Sequence, residues 1–276
     1  MSRPVLNLES FALSNEGEML NLELYGGDVY AVVGRSGSGK SLFLDTILGE
    51  EKPVSGTITV NGTIISAEYS TGKARQTPFG VAKASASKDN QRRIADALAA
   101  LGLWDAKNVH LNKLTQGMVV ACDLLPVLLS DDDIVLIDGH LDLLDPWALD
   151  GALEEMFHLA EEGTAFIVAT NRPELAERLG NIIVLHQGQP KYAGTVEKLV
   201  RSVEPTELVV EADDLSTVQT MVEPFVTSVR VSGKRLVLKA EDGQEVAARL
   251  LTQGYGVVHS VVIKEPSLEE ALVQLS

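Results

Sequence analysis

With 276 residues, the chain can hold one large domain, or one of about 200 residues joined to a small one, and either can bury a substantial core. Its 39 acidic residues against 23 basic ones leave a net charge of −16 and a pI of about 4.7, which excludes the basic footprint that nucleic-acid readers need. The single cysteine, Cys122, lies in an apolar segment, no apolar run nears the roughly 18 residues that cross a bilayer, and the opening MSRPVLNLESF lacks a signal-peptide core, so a soluble cytosolic chain is expected.

Taken in order, Val5 to Leu8, Leu20 to Leu24 and Val29 to Val33 read as short strands, punctuated by Asn15-Glu16-Gly17 and Gly26-Gly27-Asp28. The apolar positions Leu42, Phe43, Leu44, Ile47 and Leu48 predict a helix that Gly49 can end. Gly56 to Val60 and Thr63 to Ile65, around Asn61-Gly62, predict two strands joined by a tight turn. Glu68 to Asp89 is small, polar and weakly periodic, and reads as loop. A helix is expected from Asn90 to about Gly102, and another over Thr115 to Leu129 with a kink at Pro126.

The run Ile134 to Ile137 predicts a buried strand ending in Asp138. Asp145-Pro146 predicts a cap and first turn for a helix reaching about Glu161. Strands over Thr164 to Ala169 and Ile182 to Leu185, with a helix Pro173 to Leu179 between them, give the alternation of a parallel sheet. Past Val203-Glu204-Pro205 the elements shorten into the order β-α-β-β-α-β, which fits a small ferredoxin-like module. Two domains are therefore expected, 1–203 and 204–276. Ser267 and Glu270 stand at capping-box spacing ahead of a last helix.

One stretch carries explicit chemistry. Gly34, Arg35, Ser36, Gly37, Ser38, Gly39, Lys40 and Ser41 follow a strand and open a helix, which is the context of a phosphate-binding P-loop. Glycines let the backbone curl with its N–H groups inward, Lys40 reaches the β and γ phosphates, and Ser41 can ligate Mg²⁺ carried by the nucleotide. The positive end of the helix dipole lies under the same phosphates. Asp138, at the end of a buried strand, is the acidic partner expected for that ion. His110, His158, His186 and His259 have no metal-ligand spacing.

Together these motifs resemble the ATP-binding subunit of an ABC transporter over about residues 3 to 200. The order is the P-loop, a signature-like stretch Leu114, Thr115, Gln116, Gly117 and Met118, the strand ending at Asp138, and a D-loop-like Leu144-Asp145-Pro146. The signature variant and the EPSLEEAL tail resemble the bacterial drug-export-type group. The resemblance implies an α/β P-loop fold, ATP and Mg²⁺ as cofactors, head-to-tail pairing as a homodimer or heterodimer, and a separate membrane-spanning permease subunit. It also implies peripheral attachment to the inner face of the cell membrane.

The chain departs from that family pattern at four places. Gly139 stands where a catalytic glutamate is expected, and Asn171 where a switch histidine is expected. Thr115 and Gln116 replace the usual serine and glycine of the signature. The region that should hold a Q-loop glutamine offers Gln76, and the nearest aromatic for stacking on adenine is Phe11, whose bland role is core packing. A positioned base contributes about 10²–10⁴-fold to rate, so its loss should weaken hydrolysis while sparing phosphate binding. The expected function is an ATP-binding transporter subunit with weak intrinsic hydrolysis. The alternative is a non-hydrolysing scaffold that uses ATP only to dimerise. On this reading Gly139→Glu should raise ATPase activity, and His140 is expected to be a solvated neighbour.

Overall fold

The computed structural model describes residues 3–15, 18–70, 75–87, 90–203, 206–254, 256–264 and 267–275. It divides into two compact units, Met1–Gly194 and Thr195–Ser276.

In the first unit, β1 (Leu6–Ala12) lies between β2 (Leu20–Leu24) and β4 (Ser55–Val60) in an antiparallel three-stranded sheet. The second sheet has six strands. Its order is β5 (Ile64–Ser66), β6 (Ile134–Asp138), β7 (Ala165–Thr170), β3 (Val29–Val33), β8 (Asn181–His186) and β9 (Gln189–Thr195), and it is parallel from β5 through β8. The apolar runs of β6 and β7 are buried along their length, as strands covered on both faces must be. Helix α1 (Lys40–Leu48) joins the sheets, since its Phe43 meets Phe11 of β1 edge to face at 5.5 Å and its other buried residues pack on the six-stranded sheet.

Two expectations are corrected. The segments around Asn61-Gly62 do not pair with each other: β4 joins β1, whereas β5 joins β6 in the other sheet. Tertiary partners take over the turn chemistry. Asn61 donates its main-chain N–H to Val5 O at 2.8 Å and its side-chain amide to Pro4 O at 2.9 Å, and Asp133 accepts from the Thr63 amide at 2.8 Å and from its hydroxyl at 3.1 Å. The segment read as loop, Glu68 to Asp89, contains α2 (Pro78–Ser85); residues 71–74, 88 and 89, with Gly72 among them, lie outside the described residues. Thr77 caps this helix by accepting from Gly80 N at 3.1 Å, and Pro78 fills its first position.

The remaining helices follow the pattern read from the chain. They are α3 (Ile94–Ala100), α4 (Gln116–Leu128, with Pro126 inside it), α5 (Pro146–Glu161) and α6 (Pro173–Leu179). Asp145 caps α5 by accepting from the amides of Trp147 and Ala148, both at 3.0 Å. A partly buried ion pair, Arg93 with Glu155, ties the start of α3 to α5. Cys122 is buried in α4, and burial pushes its thiol up to about 12, so it is an inert packing group.

The second unit has its own core. β10 (Thr206–Ala212), β11 (Ser228–Ser232), β12 (Arg235–Ala240) and β13 (Val258–Lys264) form a sheet of order β11-β12-β10-β13 in which each pair is antiparallel. Leu208, Val210, Leu236 and Leu238 pack under α8 (Leu215–Val222) and α9 (Gly243–Gln253). The chain order is thus β-α-β-β-α-β. Helix α7 (Val196–Val203) groups with this unit rather than ending the first, because it packs on α10 (Leu268–Gln274) with Leu199, Leu268 and Ala271 buried. The division therefore falls before residue 203, and Glu204 and Pro205 of the expected linker lie outside the described residues. Ser267 and Glu270 form the capping box of α10.

Candidate functional site

Three neighbouring parallel strands end at one edge and carry the candidate groups. In register, Asp138 lies beside Ala169, and Thr170 beside Val33, the last strand residue before the P-loop. The ends of β6, β7 and β3 therefore set Asp138, Asn171 and residues 34–41 side by side.

The loop is shaped to hold an anion. Gly34 passes so close to β8 that a Cβ there would fall 2.3 Å from Leu185 O, and Gly37 and Gly39 both take positive φ. Ser38 N donates to Arg35 O at 3.0 Å, closing the curl. The first turn of α1 holds no acidic residue and no side-chain cap, which leaves its positive end free for a ligand. Lys40 is buried and donates to Gly34 O at 2.8 Å and Arg35 O at 3.2 Å. Burial lowers its pKa, while the negative charges of Asp138 and Asp142 oppose that change and favour the ammonium.

Among the described residues, two buried side-chain polar atoms lack a hydrogen-bond partner, Ser38 Oγ inside this loop and His140 Nε2. A buried hydroxyl without a partner is costly, and the oxygens of a phosphate tail are a chemistry that would satisfy it. Glycine curl, buried lysine and helix N-terminus fit ATP. The exposed Ser41 hydroxyl and the Asp138 carboxylate are oxygen donors of the kind Mg²⁺ takes.

Position 139 has a backbone shape of its own. Gly139 has φ +70°, the left-handed region, and a Cβ there would lie 3.4 Å from the hydroxyl of Tyr69. That hydroxyl donates to Asp138 O at 3.1 Å, and the Tyr69 ring stacks on His140 at 3.9 Å between centroids. His140 is completely buried, which corrects the solvated reading. Since Asp138 O can only accept, His140 Nδ1 carries the proton in their 3.0 Å contact, and burial lowers the imidazole's pKa. His140 is thus covered by Tyr69 and held against Asp138 O.

Tyr69 and Ser70 were not legible as site residues. Ser70 donates its amide to Asp123 at 3.1 Å and its hydroxyl to the same buried carboxylate, which ties this segment to α4. The Q-loop candidate Gln76 lies elsewhere, before α2, where its carbonyl accepts from Leu111 N at 2.9 Å. Phe11, buried against Phe43, leaves no ring face for a base. The signature-like residues occupy another element: Thr115 caps α4 by accepting from Met118 N at 3.3 Å, with Thr115 and Gln116 exposed and Leu114, Gly117 and Met118 half-buried.

Comparison with known proteins agrees with this geometry. Residues 18–140 match the family described as ABC transporter. The arginine transport ATP-binding protein ArtM of Bacillus subtilis (strain 168) is 29% identical over 187 residues, covering 59% of this chain and 78% of that protein. The Nod factor export ATP-binding protein I of Rhizobium etli is 24% identical over 281 residues, covering 93% of this chain and 87% of that protein. A solved structure of an ATP-binding subunit of an ABC transporter superposes with a TM-score of 0.63 at 22% identity, over 72% of this chain and 92% of that one.

Proposed function

We propose, from a chain that carries an ABC transporter ATP-binding domain, that it binds Mg-ATP to drive or gate a separate membrane-spanning permease subunit, with weak intrinsic hydrolysis. The observation that carries this reading is the P-loop of residues 34–41, set between β3 and α1 beside Asp138 and Asn171 on adjoining parallel strands. Mg-ATP, when bound, supplies the phosphoanhydride whose cleavage would power the partner. The loop amides, Lys40 and the start of α1 would grip the phosphates, while Ser41 and Asp138 would hold the ion.

Weak hydrolysis rests on Gly139, which offers no carboxylate to orient water, and on Asn171, which donates a hydrogen bond but carries no positive charge. Pairing of two such domains, as a homodimer or a heterodimer, is supported by exposed apolar side chains around the D-loop-like turn, Leu143 at 47% and Trp147 at 82% exposure. Among the described residues no helix is long and apolar enough to cross a membrane, so attachment to the inner face of the membrane would come through the permease. Relatives named for transport and export do not favour the scaffolding alternative.

Calorimetry of the full chain with Mg-ATP tests the reading. Saturable binding at submillimolar nucleotide is expected, weakened by about tenfold or more in Lys40→Ala as charge-assisted hydrogen bonds to phosphate are lost. Absence of binding at millimolar nucleotide would overturn it. Phosphate release, measured with and without the co-expressed permease, reports how much turnover survives.

A further inference from the structure

Asp142, a residue no sequence motif singles out, bridges the ends of β6 and β7. It belongs to a single 3-10 turn, His140–Leu143, just past Asp138, and its carboxylate reaches across to the end of β7. There Oδ1 accepts from the Thr170 hydroxyl and Oδ2 accepts from the Asn171 amide at 2.9 Å. Thr170 is fully buried, and its Oγ1 in turn accepts from Arg172 N at 3.0 Å, where α6 is about to begin. The turn 170–172 is thus fixed at each residue.

The same carboxylate bears on the P-loop. The charges of Asp142 and Asp138 both favour the Lys40 ammonium, and Thr170 runs in register with Val33 at the loop's entrance. An acceptor-only group that holds the main-chain N–H of Asn171 also sets the direction in which that side chain leaves the strand.

We propose that Asp142 is a positioning residue that fixes Asn171 so that its side-chain amide donates to the terminal phosphate of ATP, making the site discriminate triphosphate from diphosphate through Asp142. This rests on the nucleotide-binding reading given above. A residue acting only on fold stability would affect both nucleotides alike, whereas one acting through the terminal phosphate affects ATP alone.

The test is calorimetric affinity of the full chain for Mg-ATP and Mg-ADP in five forms: unmodified, Asp142→Ala, Asp142→Asn, Asn171→Ala and the double variant of Asp142→Ala with Asn171→Ala. Asp142→Ala should weaken ATP about tenfold, roughly 1.4 kcal/mol, and leave ADP within about twofold. Asn171→Ala should do the same. Asp142→Asn, which keeps one acceptor, should fall between. Combining Asp142→Ala with Asn171→Ala should add little, as expected for two groups acting as one unit. Equal losses for ATP and ADP, no loss for ATP, or additive losses in the double variant would overturn the proposal. Should Asp142→Ala fail to fold by circular dichroism, Asp142→Asn and Asn171→Ala decide on the same ATP-to-ADP ratio. If the unmodified chain binds neither nucleotide, the functional reading itself fails and this inference falls with it.

Discussion

Gly139 is where an expected side chain and a backbone shape have to be told apart. From the letters alone it looks like a glutamate deleted and ready to be restored. Its φ of +70° changes that expectation, because an L-residue in the left-handed region costs about 1–2 kcal/mol, even though a Cβ would meet the Tyr69 hydroxyl only in ordinary contact at 3.4 Å. Gly139→Glu should therefore lower the melting temperature without raising phosphate release above that of the unmodified chain. A thermal melt and a phosphate-release assay check this, and a clear rise in release would show that the turn can accommodate a working carboxylate. At this scale the sequence marks Lys40, Asp138, Gly139 and Asn171 as candidates, because each stands at fixed spacing in a recognisable string. It hid Tyr69, Asp142 and the burial of His140. Their roles come from contacts between segments far apart in the chain, such as Tyr69 with Asp138, which no local pattern encodes.

Elements were legible where periodicity and punctuation agreed. β3, α1 and α6 begin and end where the apolar pattern and the Gly or Pro signals place them. α2 was missed because Gly80 interrupts an eight-residue segment whose buried face is only Pro78, Val81 and Ala82, although Thr77-Pro78 is a start signal. The false hairpin at 56–65 had the right turn residues, and lost them to Pro4, Val5 and Asp133. Capping also makes one element sensitive to pH. Asp214 caps α8, and hydrogen bonds from the Ser216 hydroxyl, then from Thr217, lower its pKa from the ordinary 3.8 to about 2. A depressed carboxylate gives support that is complete above the unfolded value and is lost as pH falls through the folded one. The native chain should thus weaken between roughly pH 4 and pH 2, and Asp214→Asn should flatten that part of the profile in melts followed by circular dichroism.

At the scale of the whole molecule, the change in character after residue 203 was readable because short alternating strands and helices replace long buried runs. The exact partition was not, since α7 looks like a continuation of the first unit until its packing on α10 is seen. The second unit buries its own apolar cluster, built on Leu208, Val210, Leu236 and Leu238, separate from the one around Phe11, Phe43 and Leu136. Two interiors that exclude water independently need not melt as a single cooperative event. A scanning calorimetry trace of the intact chain should contain two overlapping endotherms, with a measured enthalpy larger than the van't Hoff value, and saturating nucleotide should move only the one belonging to residues 1–194. One coincident peak that shifts as a whole would mean the units unfold together. For this chain, then, resistance to heat is a pair of quantities, and the ligand reports on one of them.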